Sequence, residues 1–480
     1  MLLYCRGSIK YPPRHSAAHA FQTRTSKLMY KYHILSQLNK YSLIDRYRFH
    51  MPGHKAAGSF CRSFPIAKKD ITELPFSDDL QCPSGMIAAA ENDIAQIVGA
   101  KKAFITTDGS SSGVMACVYV ASRFGNKLIV PRNSHKSVFN ACRILGVEPV
   151  IVQGEEFEGV LLPPDPGLIE RLVVNDVGIA GMIVSSPDYY GNIAPLEEYA
   201  SVLRSNGRLL FCDGAHGAHL ALSEDRAGYC GAYADMWVDG AHKTLPTLTQ
   251  GACVLVNNQK LLPAAAEALS IFRTTSPSYP IMASVEYGVK YFKNRPDLYR
   301  RAREAAVAFK NNLSSFTFYP SADWAKIAID FKPLGISPAV AEQKLQKKGI
   351  YAEMNDGRYL LFYLSPMTTK RQLDELALAL VGLVSAKKLR DSYIGKRAFL
   401  PPAPRTYSYL YALRAPGEYV ELSESVGRMC AENVGITPPC IPVVVAGEII
   451  TAQAVELIKN SPATFGLVGG KIKVVKKNEG

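Results

Sequence analysis

None of the ten cysteines forms a Cys-X-X-Cys pair or shows metal-ligand spacing. Neither a structural zinc site nor a disulfide framework is therefore expected, no metal is expected, and the scatter fits reduced thiols in a cytoplasmic compartment. No run of about 18 apolar residues is present, which argues against a membrane-spanning helix. Zinc-finger spacing, a helix-turn-helix pattern and an aromatic-basic RNA signature are also missing, although the net charge is +13. That charge is diffuse. Arg6, Lys10, Arg14, Arg24 and Lys27 stand in a first segment, 1–28, that contains no acid, and the tail KIKVVKKNEG (471–480) adds a second cluster. A solvated basic surface is the expected reading, with neither nucleic acid nor membrane as partner. The acid-free leader lacks an apolar period, and Tyr11-Pro12-Pro13 breaks any amphipathic targeting helix. A disordered or unauthentic leader is expected over 1–28, with a first helix beginning near Met29.

At 480 residues, 48% hydrophobic and 20% charged, the chain is long enough for two or three domains of ordinary globular composition. From 101 to 257 short apolar segments alternate with helical stretches. KKAFITT (101–107), KLIVPR (127–132), EPVIVQ (148–153), AGMIVSS (180–186), RLLFCDG (208–214), MWVDG (236–240) and ACVLVN (252–257) read as seven buried strands. Their spacing predicts βαβ units and a large α/β domain over 91–284 with a mainly parallel sheet. An N-terminal arm is expected over 29–90. A smaller α/β domain is expected over 285–395, with strands in WAKIAIDF (324–331) and RYLLFYLS (358–365). A Pro-rich linker, FLPPAPRTYSY (399–409), and a compact C-terminal unit complete 396–480.

Ligands of such sheets bind beyond the carboxyl ends of the strands, and the chemically suggestive residues all fall there. LLFCDGAHGAHL (209–220) ends an apolar run in Asp213, with Ala215 and His216 following, and VDGAHKTLPTLTQGA (238–252) places His242-Lys243 thirty positions later. A strand-end carboxylate and a loop lysine are what a pyridoxal 5'-phosphate (PLP) enzyme needs: the amine forms a Schiff base, and the acid keeps the pyridine nitrogen protonated. TTDGSSSG (106–113) joins a strand to a helix, so Gly109, Ser110 and Ser111 can present backbone and hydroxyl donors to a phosphate. An ordinary capped Gly-Ser loop reads equally well. His135 in PRNSHKS (131–137) is placed either to stack on a flat ring or to cap the next helix. TTSPSY (274–279) offers Thr275 and Ser276 to a phosphate of the same or a neighbouring subunit.

With RFHMPGHK (48–55), DITELPFSDDL (70–80), SSPDYYGN (185–192) and GRMCAENVGITPPCIPVVVAGE (427–448), these motifs stand in the order found in one family. The chain resembles the Orn/Lys/Arg decarboxylases, PLP enzymes of the aspartate-aminotransferase fold (fold type I), from about residue 29 to residue 455. The resemblance implies Lys243 as the Schiff-base lysine, Asp213 as partner of the pyridine nitrogen and His135 stacked on the ring. It implies Ser110 and Ser111 on the phosphate, His242 against the imine, and Thr275 and Ser276 reaching the partner subunit's cofactor in a homodimer. Three positions depart from the family pattern. Gly240 replaces a phosphate-binding Ser, Thr437 and Cys440 replace Tyr and Gly of a YPPGIP element, and Ala446 replaces the Pro of PGE. These departures bear on substrate identity more than on cofactor binding.

The expected reaction is α-decarboxylation of arginine, lysine or ornithine to a polyamine-type amine. A cationic substrate side chain wants a carboxylate, and Asp78, Asp79, Glu73, Glu432 and Glu448 are the candidates. An aminotransferase or another lyase on the same scaffold is the first alternative, with Arg358 as the candidate grip on a substrate carboxylate. A catalytically silent homologue is the second, and the presence of both Asp213 and Lys243 argues against it.

Overall fold

The structure is a computed structural model that describes residues 29–44, 47–224, 226–385, 407–461 and 463–476. The expected leader and most of the Pro-rich linker lie outside these residues. All seven expected strands of the large domain form: β1 (Lys102–Thr106), β2 (Lys127–Pro131), β3 (Glu148–Val152), β4 (Ile179–Ser185), β5 (Leu209–Asp213), β6 (Met236–Asp239) and β7 (Ala252–Val256). They make one sheet in the order β1-β7-β6-β5-β4-β2-β3. Every pairing is parallel except that β7 runs antiparallel to both β1 and β6. The central strands β6 and β7 are buried at every position, the pattern of a sheet covered on both faces. Separate apolar clusters fill the two sides, one around Ile105, Met182 and Trp237, the other around Val118, Phe211 and Val254.

Helix α1 (Met86–Val98) packs behind β1, and α2 (Gly109–Ser122) lies across the sheet. Gly113 explains how closely α2 sits: a Cβ there would lie 2.5 Å from Val238 Cγ2. The close approach presses the first turn of α2 onto the carboxyl end of β6. Helix α3 (Lys136–Leu145) follows β2.

The arm is held by a buried acid. Glu286 accepts the first backbone N–H groups of the helix His33–Ile44, from His33, Ile34 and Leu35, and pairs with Lys290 at 2.8 Å. That satisfies donors every helix start leaves open. Residues 296–385 form the smaller unit. Its sheet has β8 (Lys326–Asp330) and β9 (Tyr359–Tyr363) at the centre, flanked by Thr317–Phe318 and Met354–Asn355, and is antiparallel throughout. The C-terminal unit has two small antiparallel sheets and docks on the large domain through Tyr409, whose hydroxyl donates to the Phe139 carbonyl at 2.9 Å. No helix among the described residues is long and apolar enough to cross a membrane.

Candidate active site

The parallel topology brings the ends of β1, β2, β4, β5 and β6 to one edge, and antiparallel β7 contributes its beginning to the same edge. This explains how the Gly109 and Lys243 loops are tied together. The Gln250 carbonyl accepts from Gly109 N at 2.9 Å, and the Gly251 carbonyl accepts from His242 N at 3.1 Å and from His242 Nδ1 at 3.0 Å. The Nδ1–H of His242 is thereby committed to the backbone, leaving Nε2 as its free ring nitrogen.

Lys243 lies in the single turn Ala241–Thr244 after β6, and its Nζ stands 3.1 Å from His216 Nε2. Burial lowers the proton affinity of Lys243 below that of a free lysine, while the nearby carboxylates of Asp213 and Glu353 oppose the effect. Burial also drives the imidazole of His216 well below its usual range, and the Lys243 charge adds to this. The Nδ1 of His216 is buried without a hydrogen-bond partner. Asp213 ends β5, buried, and its carboxylate accepts from Ala215 N at 3.2 Å.

His135 does what its alternative reading required. It caps α3, with Nδ1 accepting from Ser137 N at 3.2 Å. Burial lowers its pKa, with Asp213 opposing and Lys243 reinforcing. Ser110 and Ser111 occupy the first turn of α2. Thr274 N reaches the Asp108 carboxylate at the same loop, at 3.4 Å. Thr275 and Ser276 are exposed.

Gly240 has a local cause. A Cβ at this position would meet the Ala215 carbonyl oxygen at 2.6 Å and its Cα at 3.2 Å. The backbone between β6 and Lys243 runs too close to the loop after β5 for a side chain. A Gly240→Ser variant is therefore expected to lose stability, by about 1–3 kcal/mol as overpacked sites do, and to gain no cofactor retention. Thermal unfolding with and without PLP measures both.

Of the five acids expected to bind substrate, Asp78, Glu432 and Glu448 are engaged elsewhere. Asp78 accepts from the backbone N–H groups of Ser84, Gly85 and Ile87 and so seats the start of α1. Asp79 and Glu73 are exposed, and Asp79 accepts from Gln81 N. Glu432 pairs with Arg143 at 2.8 Å, and Glu448 is buried against Arg132 at 2.7 Å. Arg358 is held by Asp330, at 2.8 Å, and by Glu158, so its guanidinium is not free to grip a substrate carboxylate.

Other residues occupy the approach to Lys243. The ring of Tyr189 meets His216 edge-on with centroids 5.1 Å apart, and its hydroxyl donates to Glu353 at 2.8 Å. Tyr363 meets His216 at 85° and 5.5 Å, and its hydroxyl donates to the Tyr189 carbonyl. Glu353 is exposed on this side of the small domain. Sequence patterning could not assign it, because its position depends on how the small domain docks.

Residues 33–319 match the family described as Orn/Lys/Arg decarboxylase, major domain, and residues 402–461 match its C-terminal domain. The chain belongs to the Orn/Lys/Arg decarboxylase family. Among curated proteins it is 28% identical to YaaO of Bacillus subtilis over 90% of this chain and 95% of that protein, and 27% identical to the arginine decarboxylase of B. subtilis over 92% and 97%. Among solved structures it superposes on the constitutive lysine decarboxylase of Escherichia coli with a TM-score of 0.77, at 20% identity, covering 93% of this chain and 82% of that one. The fold expected from the sequence, fold type I with a C-terminal decarboxylase unit, is the one found.

Proposed function

We propose that the chain is a PLP-dependent decarboxylase acting on a basic amino acid (arginine, lysine or ornithine), and that it works as a cytoplasmic homodimer. The observation that carries this reading is Lys243 Nζ, its proton affinity lowered by burial, 3.1 Å from a buried imidazole and near the carboxylate that ends β5. The residues fit the cofactor. His216 Nδ1 is an orphaned buried polar atom at the site, and the first turn of α2 presents N–H groups suited to a phosphate. When bound, PLP supplies the electron sink for the charge left as the α-carboxylate departs.

The chain's own residues supply the rest. Lys243 Nζ is the covalent tether and afterwards donates a proton to the substrate's Cα, with His242 Nε2 as the second candidate donor. Asp213 holds the proton of the pyridine nitrogen. Ser110, Ser111 and the N–H groups of α2 hold the phosphate, and His135 covers the ring. Glu353, braced by Tyr189, is the carboxylate for the substrate's distal cation, with Tyr189 and Tyr363 as its aromatic walls. Exposed Tyr47, Phe49 and Met51 on the arm form the kind of apolar surface that a second copy would cover. Thr275 and Ser276 are exposed and free to reach across to that copy.

The test is a panel in which purified protein, PLP and arginine, lysine or ornithine are mixed and the products identified by mass. Release of CO₂ with the corresponding amine supports the reading; glutamate formed from 2-oxoglutarate overturns it in favour of transamination. Glu353→Gln is expected to lower kcat/KM by roughly 10- to 100-fold, the equivalent of a charged hydrogen bond worth about 1.5–3 kcal/mol. Capture of PLP by Lys243 should persist in that variant.

A further inference from the structure

Lys326 stands at the start of β8 and is fully buried, and its Nζ has no hydrogen-bond partner. The nearest acid, Asp323, accepts from Ala325 N and contacts His219 Nε2 through Oδ1, both at 2.9 Å, and its other oxygen, Oδ2, lies 3.9 Å from Lys326 Nζ, an ion pair too long for a hydrogen bond. The ammonium also sits 3.8 Å from the ring centre of Tyr363. That same ring meets His216, and His216 Nε2 meets Lys243 Nζ. A buried ammonium without a hydrogen bond is costly, and a ring face compensates only in part. A methionine would fill the same space without that cost.

We propose that Lys326 is a positioning residue for Lys243: its ammonium, seated on Tyr363, keeps the His216 imidazole uncharged, so that His216 Nε2 remains an acceptor for the Lys243 amine. A protonated His216 would instead repel the lysine and hold it away from its aldehyde. This rests on the assignment of Lys243 as the cofactor lysine.

The surroundings of both groups are consistent. Asp323, His219, Asp188, Glu353, Lys310 and Lys243 are the charged or titratable side chains that face Lys326 from the elements packed around it. Burial lowers its pKa to about 8, with Asp323 opposing, so it is still mainly cationic at neutral pH. Around His216 stand Lys243, Lys326, His135 and His242, together with the rings of Tyr189 and Tyr363. Burial is the largest cause of the lowered proton affinity of His216; the charges of Lys243, Lys326, His135 and His242 add to it, and of these Lys326 is the one from the small domain, while the Asp213 and Glu353 carboxylates lie near Lys243.

The experiment follows the histidine ring signals of the isotopically labelled full chain without added PLP, with His216 assigned by His216→Gln. In the parent protein, His216 should not titrate between about pH 5 and 8, where an ordinary imidazole does. In Lys326→Met the His216 signals should begin to move toward the protonated form at the acid end of that range, because a like charge is lost; Lys326→Arg should behave as the parent. If Lys326 serves only to balance Asp323, Lys326→Met will change stability and leave His216 silent, which overturns the proposal. Ordinary titration of His216 in the parent overturns it too, as does a shift in Lys326→Arg, and these two readouts decide if Lys326→Met does not fold. Because the readout needs no cofactor, its failure is distinct from failure of the PLP reading, which would appear as no PLP trapped on Lys243.

Discussion

Lys243→Ala is expected to lose PLP trapping and decarboxylation together, with activity reduced by several orders of magnitude and thermal stability close to the parent's. The side chain is half-buried and its amine makes one short contact, to His216, so truncation leaves no uncompensated buried charge. What disappears is the amine that the turn after β6 presents 3.1 Å from His216 Nε2, within the influence of the Asp213 carboxylate. Borohydride reduction after incubation with PLP, followed by peptide mass analysis, should label position 243 in the parent and nothing in the variant. A labelled variant, or a parent labelled at another lysine, would refute the assignment. The parent's capture rate should also rise with pH through a midpoint below that of a free lysine. Burial lowers this amine's proton affinity, and only its unprotonated form attacks an aldehyde. At lower pH the ammonium form accumulates and capture slows.

Seven strands and the motifs at their ends were legible because each depends on local pattern. A run such as ACVLV, buried at all five positions, has the same meaning wherever it sits in a sheet. The direction of β7 was not legible, since a buried run reads alike in either sense. That direction brings the Gln250 and Gly251 carbonyls to the Gly109 and His242 N–H groups. His135 was readable only as two alternatives, because a residue just past a strand both caps the next helix and faces the site. The surroundings of three expected substrate acids were not legible for a different reason. Asp78, Glu432 and Glu448 stand in family motifs, but a carboxylate is free for a substrate only if no backbone N–H or guanidinium has taken it. Glu353 and Lys326 come from the small domain more than 80 positions from Lys243 in sequence. Their approach is fixed by domain docking, which leaves no local mark.

Glu448 shows what an acid in such a motif does instead, and losing it should have the largest effect on stability. Its carboxylate accepts from Arg132 Nη1 and from Val445 N, each at 2.7 Å, and the same guanidinium donates to the Val443 carbonyl at 2.6 Å. Arg132 follows β2 in the large domain, while Glu448 lies in the C-terminal unit, so the pair fastens one to the other. Both side chains are buried, at 9% and 3% exposure. Removing one partner of such a pair leaves an unpaired buried charge, at a cost of about 3–5 kcal/mol. Glu448→Ala should therefore reduce the free energy of unfolding in urea by that amount. The double variant Arg132→Met/Glu448→Leu should lose much less than the two single losses added, because no charge is left stranded. A substrate role predicts the reverse: a raised KM in Glu448→Ala, measured well below its melting temperature, with stability unchanged. The arrangement of Arg132 predicts an unchanged KM and a destabilised C-terminal unit.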